Sequence, residues 1–347
     1  MIDFIQVSKR FGTQEVLEDV SFRINAGEHV GVVGPNGAGK STVFSLITDE
    51  LSTDGGEVSL PKNVRIGHLH QQLHAHAQDG SVLDYTVNAI PELKTIEAEI
   101  HQLEHDLKDV SGAEQEAMLQ RLGDLQHEFE HLGGYDMKSR AEAALSGLGF
   151  KESEFANPFK SFSGGWQMRA EMVRTLIAQP DILMLDEPSN YLDLPAVEWL
   201  QRFLRGFDGT MLLISHDRYL LENLTDRTLE ISGGQAVKYA GGYTYYLKER
   251  VQRHQQQAAA YRNYLDQKEH LESFINRFRA KASKASLVQS RVKMLEKLEP
   301  VRPPASGGTL SKLRIPPPPH CGAQIMTVGN MSFSYDGKRW ILRDVNL

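Results

Sequence analysis

The sequence predicts an α/β fold in which a helical hairpin interrupts a sheet-forming domain. Two apolar strands support the prediction, since one runs into a glycine-rich loop and the other ends in two adjacent acids. Between them lies a polar stretch whose apolar residues recur at helical spacing. Glycine turns and carboxylates at strand ends are typical of open α/β sheets that bind phosphate-containing ligands.

The glycine-rich loop is GPNGAGKS, which follows the strand HVGVV and precedes the helical segment TVFSLIT. It fits the pattern G-x-x-x-x-G-K-[ST], whose backbone N–H groups turn inward around phosphates. We expect Lys40 to lie between the β- and γ-phosphates of ATP and Ser41 to ligate Mg²⁺. The predicted nucleotide-binding residues here are Gly34, Pro35, Asn36, Gly37, Ala38, Gly39, Lys40, Ser41 and Thr42.

The polar stretch from Glu92 to Leu132 predicts two amphipathic helices that are separated by Ser111-Gly112. A short turn between two such helices favours an antiparallel hairpin in which each helix buries the apolar stripe of the other. The pattern leaves two alternatives open. The hairpin could pack on the domain core or could project from it as an arm.

The second apolar strand is ILMLDE, which ends in Asp186 and Glu187. Ligands of open α/β sheets bind at the carboxyl ends of the strands, so both carboxylates are expected to face the nucleotide. We expect Asp186 to hold Mg²⁺ through water. Glu187 is the candidate that orients or deprotonates the attacking water during phosphoryl transfer.

A second helical stretch runs from Tyr243 to Leu298 and is followed by a proline-rich connection. Its end is basic in an otherwise acidic chain, which favours local contact with nucleic-acid phosphates. A solvated helical face is the alternative. The basic residues are Arg277, Arg279, Lys281, Lys284, Arg291, Lys293 and Lys297, against the acids Glu296 and Glu299.

The last residues repeat the first ones. MSFSYDGKRWILRDVNL, from Met331, is similar to VSKRFGTQEVLEDVSF, from Val7, and Tyr335 corresponds to Phe11. We interpret this as an internal repeat and expect a second domain to begin here, with the chain ending before its glycine-rich loop. Chance similarity between two amphipathic strands is the alternative.

Composition narrows the class of protein. The chain has 347 residues, 40% of them hydrophobic, and a net charge of -7. This charge argues against a protein that coats nucleic acid over its whole surface. A single cysteine, Cys321, allows no intramolecular disulfide. The N-terminus alternates like a strand and no apolar run approaches the ~20 residues of a membrane span, so we expect a cytoplasmic protein without membrane contact.

A Ser-Gly-Gly turn provides the most specific resemblance. FSGGWQMR, Phe162 to Arg169, lies shortly before the acidic strand and is similar to the signature sequence LSGGQ of ATP-binding cassette (ABC) proteins. Trp166 replaces the usual glutamine and resembles the variant found in the ABC-F translation factors. The resemblance implies that Ser163, Gly164 and Gly165 present backbone donors to the γ-phosphate of a nucleotide held by a partner domain.

Other ABC elements follow in the expected order. Phe11 resembles the aromatic residue that stacks on adenine, although a core phenylalanine would look the same. Gln71 resembles the Q-loop residue that touches Mg²⁺ or the attacking water, and the adjacent Gln72 is not excluded. His216 resembles the switch histidine at the γ-phosphate. SNYLD resembles the D-loop at Asn190 and Asp193 but departs from it at Ser189 and Tyr191.

The ABC-F resemblance covers essentially the whole chain. It implies hydrolysis of ATP to ADP and phosphate, and ATP-dependent binding to the ribosome, with the basic segment Arg277–Lys297 reaching toward tRNA and rRNA. A second ABC domain or a homodimer would complete the ATP sites. The expected divisions are an ABC domain (1–91 and 133–242), an arm (92–132), a helical linker (243–299), a proline-rich connection (300–322) and the start of a second ABC domain (323–347).

Other functions remain as alternatives at this stage. The ATP-binding subunit of an ABC transporter would share the nucleotide site, and so would an inert fragment. A DNA-associated ABC ATPase is a weaker alternative, because Cys321 alone cannot build a zinc hook. Housekeeping and antibiotic-protection roles are not distinguished. The acidic arm is expected to meet a basic ribosomal protein, and the pairs His101/His105 and His127/His131 are expected to be solvated rather than to bind a metal.

Overall fold

Two sheets form the first structural unit, residues 1–305, and a strand pair lies in the second, residues 306–347. The structure is a computed structural model that describes residues 1–71, 80–108, 110–278, 285–301, 326–335 and 337–347. Residues 302–322 of the proline-rich connection, which include Cys321, and Gln72 therefore lie outside the described residues.

The described strands are β1 (Ile2–Phe11), β2 (Gln14–Ile24), β3 (His29–Val33), β4 (Gly55–Ser59), β5 (Ile66–Leu69), β6 (Ile182–Asp186), β7 (Thr210–Ile214), β8 (Arg227–Ser232), β9 (Gln235–Tyr239), β10 (Met331–Ser334) and β11 (Trp340–Val345). The larger sheet has six strands in the order β5-β6-β7-β3-β8-β9, and all neighbours are parallel except β8 and β9. The smaller sheet is antiparallel, in the order β2-β1-β4.

Helices cover the parallel strands, which confirms the predicted α/β fold class. The helices are α1 (Lys40–Ile47), α2 (Val82–Val87), α3 (Pro91–Asp106), α4 (Ala113–His131), α5 (Met137–Gly147), α6 (Gly164–Ile177), α7 (Leu194–Arg205), α8 (Arg218–Leu224), α9 (Tyr243–Phe278) and α10 (Ala285–Glu296). None of the described helices combines the length and the apolar character that crossing a membrane requires.

The six-stranded sheet separates two apolar cores. Successive side chains of a strand point to opposite faces, so Leu183 and Leu185 of β6 join one core and Ile182 and Met184 join the other. The second core also contains α1 and the inner face of the antiparallel sheet. Because every residue of β6 is buried, the strand is a fixed platform for the acids at its end.

The parallel pairing brings four strand ends to one edge of the sheet. Leu69 of β5 lies opposite Leu185, and Asp186 lies opposite Ile214 of β7. The register of β3 with β7 places Val32 opposite the same Ile214. The glycine-rich loop, Gln71, the two acids and His216 all follow these ends, so the fold collects most of the predicted nucleotide-site residues along one edge.

Helices α3 and α4 form the predicted hairpin, and its two ends differ in burial. At the base of the hairpin, Ile96 and Phe129 belong to the core of the domain. Leu119, which lies nearer the turn between α3 and α4, is exposed. Arg121 on α4 donates to Glu99 on α3 at 2.9 Å, which agrees with an antiparallel pair. The base of the hairpin therefore packs on the core, and its far end meets solvent.

The two ends of the chain share a local backbone geometry. Strands β1 and β2 pair antiparallel, as do β10 and β11. Asp19 and Asp344 both have positive φ, 49° and 55°. The Asp19 N–H donates to Ser8 Oγ at 3.0 Å, and the Asp344 N–H donates to Ser332 Oγ at 3.0 Å. The two strand pairs therefore share the same backbone irregularity and the same hydrogen bond.

Candidate functional site

The glycine-rich loop between β3 and α1 depends on two glycines that have no room for a side chain. Gly34 has φ of 155°, and a Cβ there would collide with the Ile231 carbonyl oxygen. Gly39 has φ of 102°, and a Cβ there would meet the Val16 side chain. These positions need glycine both for the left-handed backbone and for the close approach. The loop is therefore a cradle with its backbone held by the neighbouring strands.

Lys40 at the start of α1 folds across this loop. Its Nζ donates to the carbonyl oxygens of Gly34 and Pro35, both at 3.0 Å. Burial lowers the pKa of the Lys40 ammonium, while the charges of Glu187 and Asp186 oppose that shift. A partly desolvated ammonium at the mouth of a backbone cradle is suited to a polyphosphate.

Ser41 and Asp186 join the loop to the acidic strand. The Ser41 hydroxyl donates to Asp186 Oδ2 at 2.8 Å, although 145 residues separate the two. Asp186 is buried at the end of β6. A hydroxyl and a carboxylate beside a phosphate cradle are the oxygen donors that Mg²⁺ prefers, so the residues present fit this ion.

Glu187 has a strained backbone and a buried carboxylate. Its φ of 53° is left-handed, and its N–H donates to the Ile214 carbonyl at 2.9 Å. Its Oε2 accepts from the His216 N–H at 3.2 Å. Burial raises the pKa of the Glu187 carboxyl and Asp186 adds to this, against the His216 N–H and the charge of Lys40. A carboxyl with a raised pKa at a strand end is suited to accept a proton from water.

The His216 imidazole lies beside this carboxylate and reaches solvent. Its Nε2 is 3.5 Å from Glu187 Oε1, and its side chain is 66% exposed while that of Glu187 is 8% exposed. The structure thus brings Glu187 and His216 together, with the buried carboxylate beneath the exposed ring.

Gln71 and Phe11 lie at the margins of this site. Gln71 is exposed, and its carbonyl accepts from the Tyr191 hydroxyl at 3.2 Å. Phe11 ends β1 and is 47% exposed, which disagrees with a core phenylalanine. Lys9 Nζ lies 5.8 Å from its ring centroid. Phe11 lies in the same antiparallel sheet as Val16, whose side chain lies against Gly39 of the glycine-rich loop. The exposed Phe11 ring is therefore available to stack on an adenine.

The Ser-Gly-Gly turn begins α6 and faces solvent. Ser163 is the N-cap of this helix, with extended backbone, and Ser163 and Gly164 are both exposed. A Cβ on Gly164 would meet nothing within 4 Å. The first N–H groups of a helix have no partner inside the helix and favour negative charge. The turn therefore presents the first backbone N–H groups of α6 at an exposed helix start.

Arg169 was not singled out from the sequence, yet it connects this turn to the D-loop. Its guanidinium donates to the Tyr191 carbonyl at 2.8 Å and to the Leu148 carbonyl at 3.0 Å, and its Nη2 is 3.6 Å from Asp193 Oδ2. It also lies 4.5 Å from the Trp166 ring centroid. Trp166 thus packs on Arg169, which in turn holds the D-loop at the Tyr191 carbonyl. The position of Trp166 in the sequence does not indicate this contact.

The D-loop residues lie between the acids and α7. The Asn190 N–H donates to the Glu187 carbonyl at 3.2 Å. Asp193 caps α7, where its Oδ1 accepts from the Ala196 N–H at 3.2 Å. Ser189 and Tyr191 thus lie in a short turn fixed at both ends, and Tyr191 reaches back to Gln71.

The linker helix α9 is anchored to the sheet by Glu230 of β8. The Tyr239 hydroxyl donates to Glu230 Oε2 at 2.9 Å, and the Tyr246 hydroxyl donates to Oε1 at 3.1 Å. Arg250 Nε is 2.9 Å from the same Oε1. Burial raises the pKa of the Tyr239 hydroxyl to about 12, so it remains a donor at neutral pH. The first two turns of α9 are therefore fixed to the domain.

The basic segment at the end of the linker is only partly described. Arg279, Lys281 and Lys284 lie outside the described residues. Lys293 of α10 and Lys297, which directly follows the helix, are exposed and line one groove with Ser286 and Gln289. Arg291 turns the other way, with its guanidinium 5.6 Å from the Phe274 ring centroid on α9.

The chain is similar in sequence to curated proteins from bacteria and yeast. Probable ATP-binding protein YheS from Escherichia coli (strain K12) is 36% identical over 308 residues, which are 87% of this chain and 46% of that protein. Putative ATP-binding protein YdiF from Bacillus subtilis (strain 168) is 30% identical over 348 residues, 98% of this chain and 53% of that protein. Protein GCN20 from Saccharomyces cerevisiae is 32% identical over 351 residues, 96% of this chain and 46% of that protein. The chain spans about half the length of the curated relatives it matches.

One solved structure and two family models complete the comparison. The structure of an ATP-binding subunit of an ABC transporter has a TM-score of 0.49 and 19% identity, and covers 69% of this chain and 90% of that one. Residues 229–313 match a family model described as ABC transporter. Residues 17–190, half of the chain, match another model with the same description. The chain therefore belongs to the ABC transporter ATP-binding domain family.

Proposed function

We propose that this chain is an ABC-F-type ATPase that binds ATP with Mg²⁺ and acts in the cytoplasm on the ribosome. The observation that carries the ATPase part is the convergence of Lys40, Ser41, Asp186, Glu187 and His216 at one sheet edge. A cradle of backbone donors, an ammonium, two oxygen ligands and a buried carboxylate are together the parts that phosphoryl transfer requires.

Each residue has a distinct role in the proposed reaction. The loop Gly34–Ser41 binds the phosphates through its N–H groups and Lys40. Ser41 and Asp186 would hold Mg²⁺, which neutralises phosphate charge when bound. Glu187 accepts a proton from the attacking water, and His216 donates a hydrogen bond to the γ-phosphate. Gln71, which follows β5, helps to orient the water, and Phe11 stacks on the adenine.

A complete site needs a second surface. Ser163 and Gly164 are exposed at the start of α6 and Gly165 is partly exposed, so we propose that these three residues serve a nucleotide on a partner. The partner is a second ABC domain or a second copy of this chain. We favour the second ABC domain and expect the isolated chain to bind ATP but to turn it over slowly.

The ribosomal part rests on the linker and on Trp166. The resemblance to ABC-F proteins covers the residues that follow α8, and α9 is anchored to the domain through Glu230. Such an anchor lets the domain orient the distal basic segment. Lys293 of α10 and Lys297 directly after it are exposed and line one groove, and this basic face suits phosphate contacts with tRNA or rRNA.

Neutralising this basic face is expected to weaken RNA binding. The logarithm of the tRNA association constant falls linearly with the logarithm of the salt concentration. We expect the double variant K293Q/K297Q to make this slope less steep by about 1.4–1.8, because each lost phosphate contact removes ~0.7–0.9. Binding of tRNA to the chain is measured across a salt series.

The control variant is K62Q/K151Q, which removes two exposed lysines from loops of the ABC domain and the same total charge. We expect it to leave the slope unchanged. Equal slopes for the wild type and K293Q/K297Q would show that this face makes no phosphate contacts and would count against the ribosomal role.

The ATP-binding subunit of a transporter is the second candidate, because both family models are described as ABC transporter. It would share the nucleotide site but would bind a membrane subunit, and it would leave the basic face of α10 without a role. The tRNA measurement therefore also separates these two candidates.

A further inference from the structure

Two histidines and a glutamate, none of which has a role in the site described above, meet near the C-terminal end of α1. Glu50 Oε1 lies 3.4 Å from His70 Nε2 and 3.8 Å from His68 Nδ1. One ligand atom from each residue lies within 4.8 Å of the other two. Among the residues that the structure describes, this is the one group of three or more His, Cys, Asp and Glu residues with metal-binding spacing.

The backbone explains why these side chains converge. His68 and His70 are two residues apart at the end of β5, so they point to the same face of the sheet, and their ring centroids are 3.7 Å apart. His68 also contacts Phe44 of α1, with centroids 5.5 Å apart. The intervening Leu69 faces the opposite core.

Glu50 reaches the same place from α1. The helix ends at Ile47, and Asp49 takes a left-handed φ of 60°, which turns the chain back toward the sheet. The Leu51 N–H then donates to the Ser45 carbonyl at 3.1 Å. The turn is thus closed by a hydrogen bond, and it directs the Glu50 carboxylate at both imidazoles.

The carboxylate is also oriented by a neighbour. The Ser45 hydroxyl donates to Glu50 Oε2 at 3.2 Å, which leaves Oε1 toward the histidines. Ligating carboxylates are commonly held in this way by a hydrogen bond to the other oxygen. An ordinary surface ion pair needs no such support.

The distances suit a small transition-metal ion. Bonds of about 2.0–2.1 Å in tetrahedral geometry place ligand atoms about 3.3–3.5 Å apart. The separation of 3.4 Å between Glu50 and His70 already has this value, and that of 3.8 Å between Glu50 and His68 needs a shift of a few tenths of an ångström. Two imidazoles and one carboxylate are a ligand set that favours Zn²⁺, with a fourth position for water.

We propose that Glu50, His68 and His70 form a binding site for Zn²⁺ or a chemically similar transition-metal ion. Bound metal would tie the end of α1 to the end of β5. Helix α1 begins at Lys40 of the glycine-rich loop, and β5 leads directly to Gln71. The site therefore clamps the two elements that carry these residues and is distinct from the oxygen-ligand site of Ser41 and Asp186.

The test measures zinc binding to the untagged chain in metal-free buffer, by competition with a chromophoric chelator. We expect the wild type to bind one equivalent of zinc, and we expect the variant E50Q/H70N, which keeps only one of the three ligands, to lose this binding. His68, which packs on Phe44, is kept in this variant so that the core is preserved. Co²⁺ added to the wild type should give the strong visible absorption of a low-coordinate site, and E50Q/H70N should not.

The matched control is H101N/H105N, which removes two exposed histidines of α3 and should bind zinc like the wild type. The single variant E50Q, isosteric and at a partly exposed position, replaces the double variant if the latter is unfolded by circular dichroism. Absence of zinc binding by the wild type, or equal binding by the wild type and the folded Glu50 variant, would overturn the proposal.

Discussion

Glu187→Gln is expected to lower ATP turnover by about 10²–10⁴-fold while ATP affinity stays unchanged, as for loss of a general base. Glutamine keeps the shape of the side chain and can still accept the His216 N–H, but it cannot take a proton from water. Turnover is measured by phosphate release, and affinity by equilibrium binding of ATP. Unchanged turnover in this variant would place the base elsewhere.

The same substitution is expected to raise the midpoint of thermal unfolding at neutral pH. Burial raises the pKa of the Glu187 carboxyl in the folded state above its unfolded value. The buried charge therefore costs stability at pH values above that raised pKa, and the cost disappears as the pH falls below the unfolded value. The difference in unfolding midpoint between E187Q and the wild type should therefore shrink as the pH falls.

The control for this effect is E198Q, which removes an exposed carboxylate of α7. We expect its unfolding midpoint to follow the wild type at every pH. If E187Q were less stable than the wild type at neutral pH, the burial argument would be wrong. A gain in stability together with a loss of turnover would show that the site keeps an unfavourable buried carboxylate for its chemistry.

Lys40→Ala is expected to weaken ATP binding by roughly 10- to 100-fold. A hydrogen bond to a charged group contributes about 1.5–3 kcal/mol, which corresponds to this range. Lys40 Nζ already lies across the mouth of the loop at the Gly34 and Pro35 carbonyls, so little movement is needed to meet a phosphate. Affinity is measured by isothermal titration calorimetry with ATP and Mg²⁺.

Lys62→Ala is the control, since it removes an exposed lysine from a loop outside the site. It should bind ATP like the wild type. If K40A bound ATP as tightly as the wild type, the nucleotide would not be bound at the glycine-rich loop. The proposed roles of Ser41 and Asp186 in holding Mg²⁺ would then also be wrong.

The sequence predicted the α/β fold class because its strongest signals are local. The glycine-rich loop needs particular residues at fixed spacing, and the strand before it and the helix after it are each defined by neighbouring residues. The structure confirms this class. The meeting of Ser41 with Asp186 was expected only because ligands bind at strand ends, since 145 residues separate the two.

Other features depended on packing between distant segments. The apolar pattern of α3 and α4 is the same whether the hairpin packs on the core or projects from it. Only the structure shows that the hairpin is buried at Ile96 and exposed at Leu119. Arg169 joins Tyr191, Leu148 and Trp166, contacts that no spacing in the sequence indicates.

The zinc site was missed although one signal was present. Histidines four residues apart were considered as metal ligands because that spacing puts them on one face of a helix, whereas His68 and His70 are two residues apart. In a strand that spacing puts both rings on one face. Glu50 could not have been added, because its place depends on the left-handed turn at Asp49 after α1.

The ribosomal role is tested by sedimentation of the E187Q variant with ribosomes, with and without ATP and across a salt series. The substitution should trap bound ATP, so we expect pelleting that requires ATP and weakens as salt rises. Absence of ATP-dependent pelleting at every salt concentration, both for this chain and for a chain extended by a second ABC domain, would mean that the protein does not act on the ribosome.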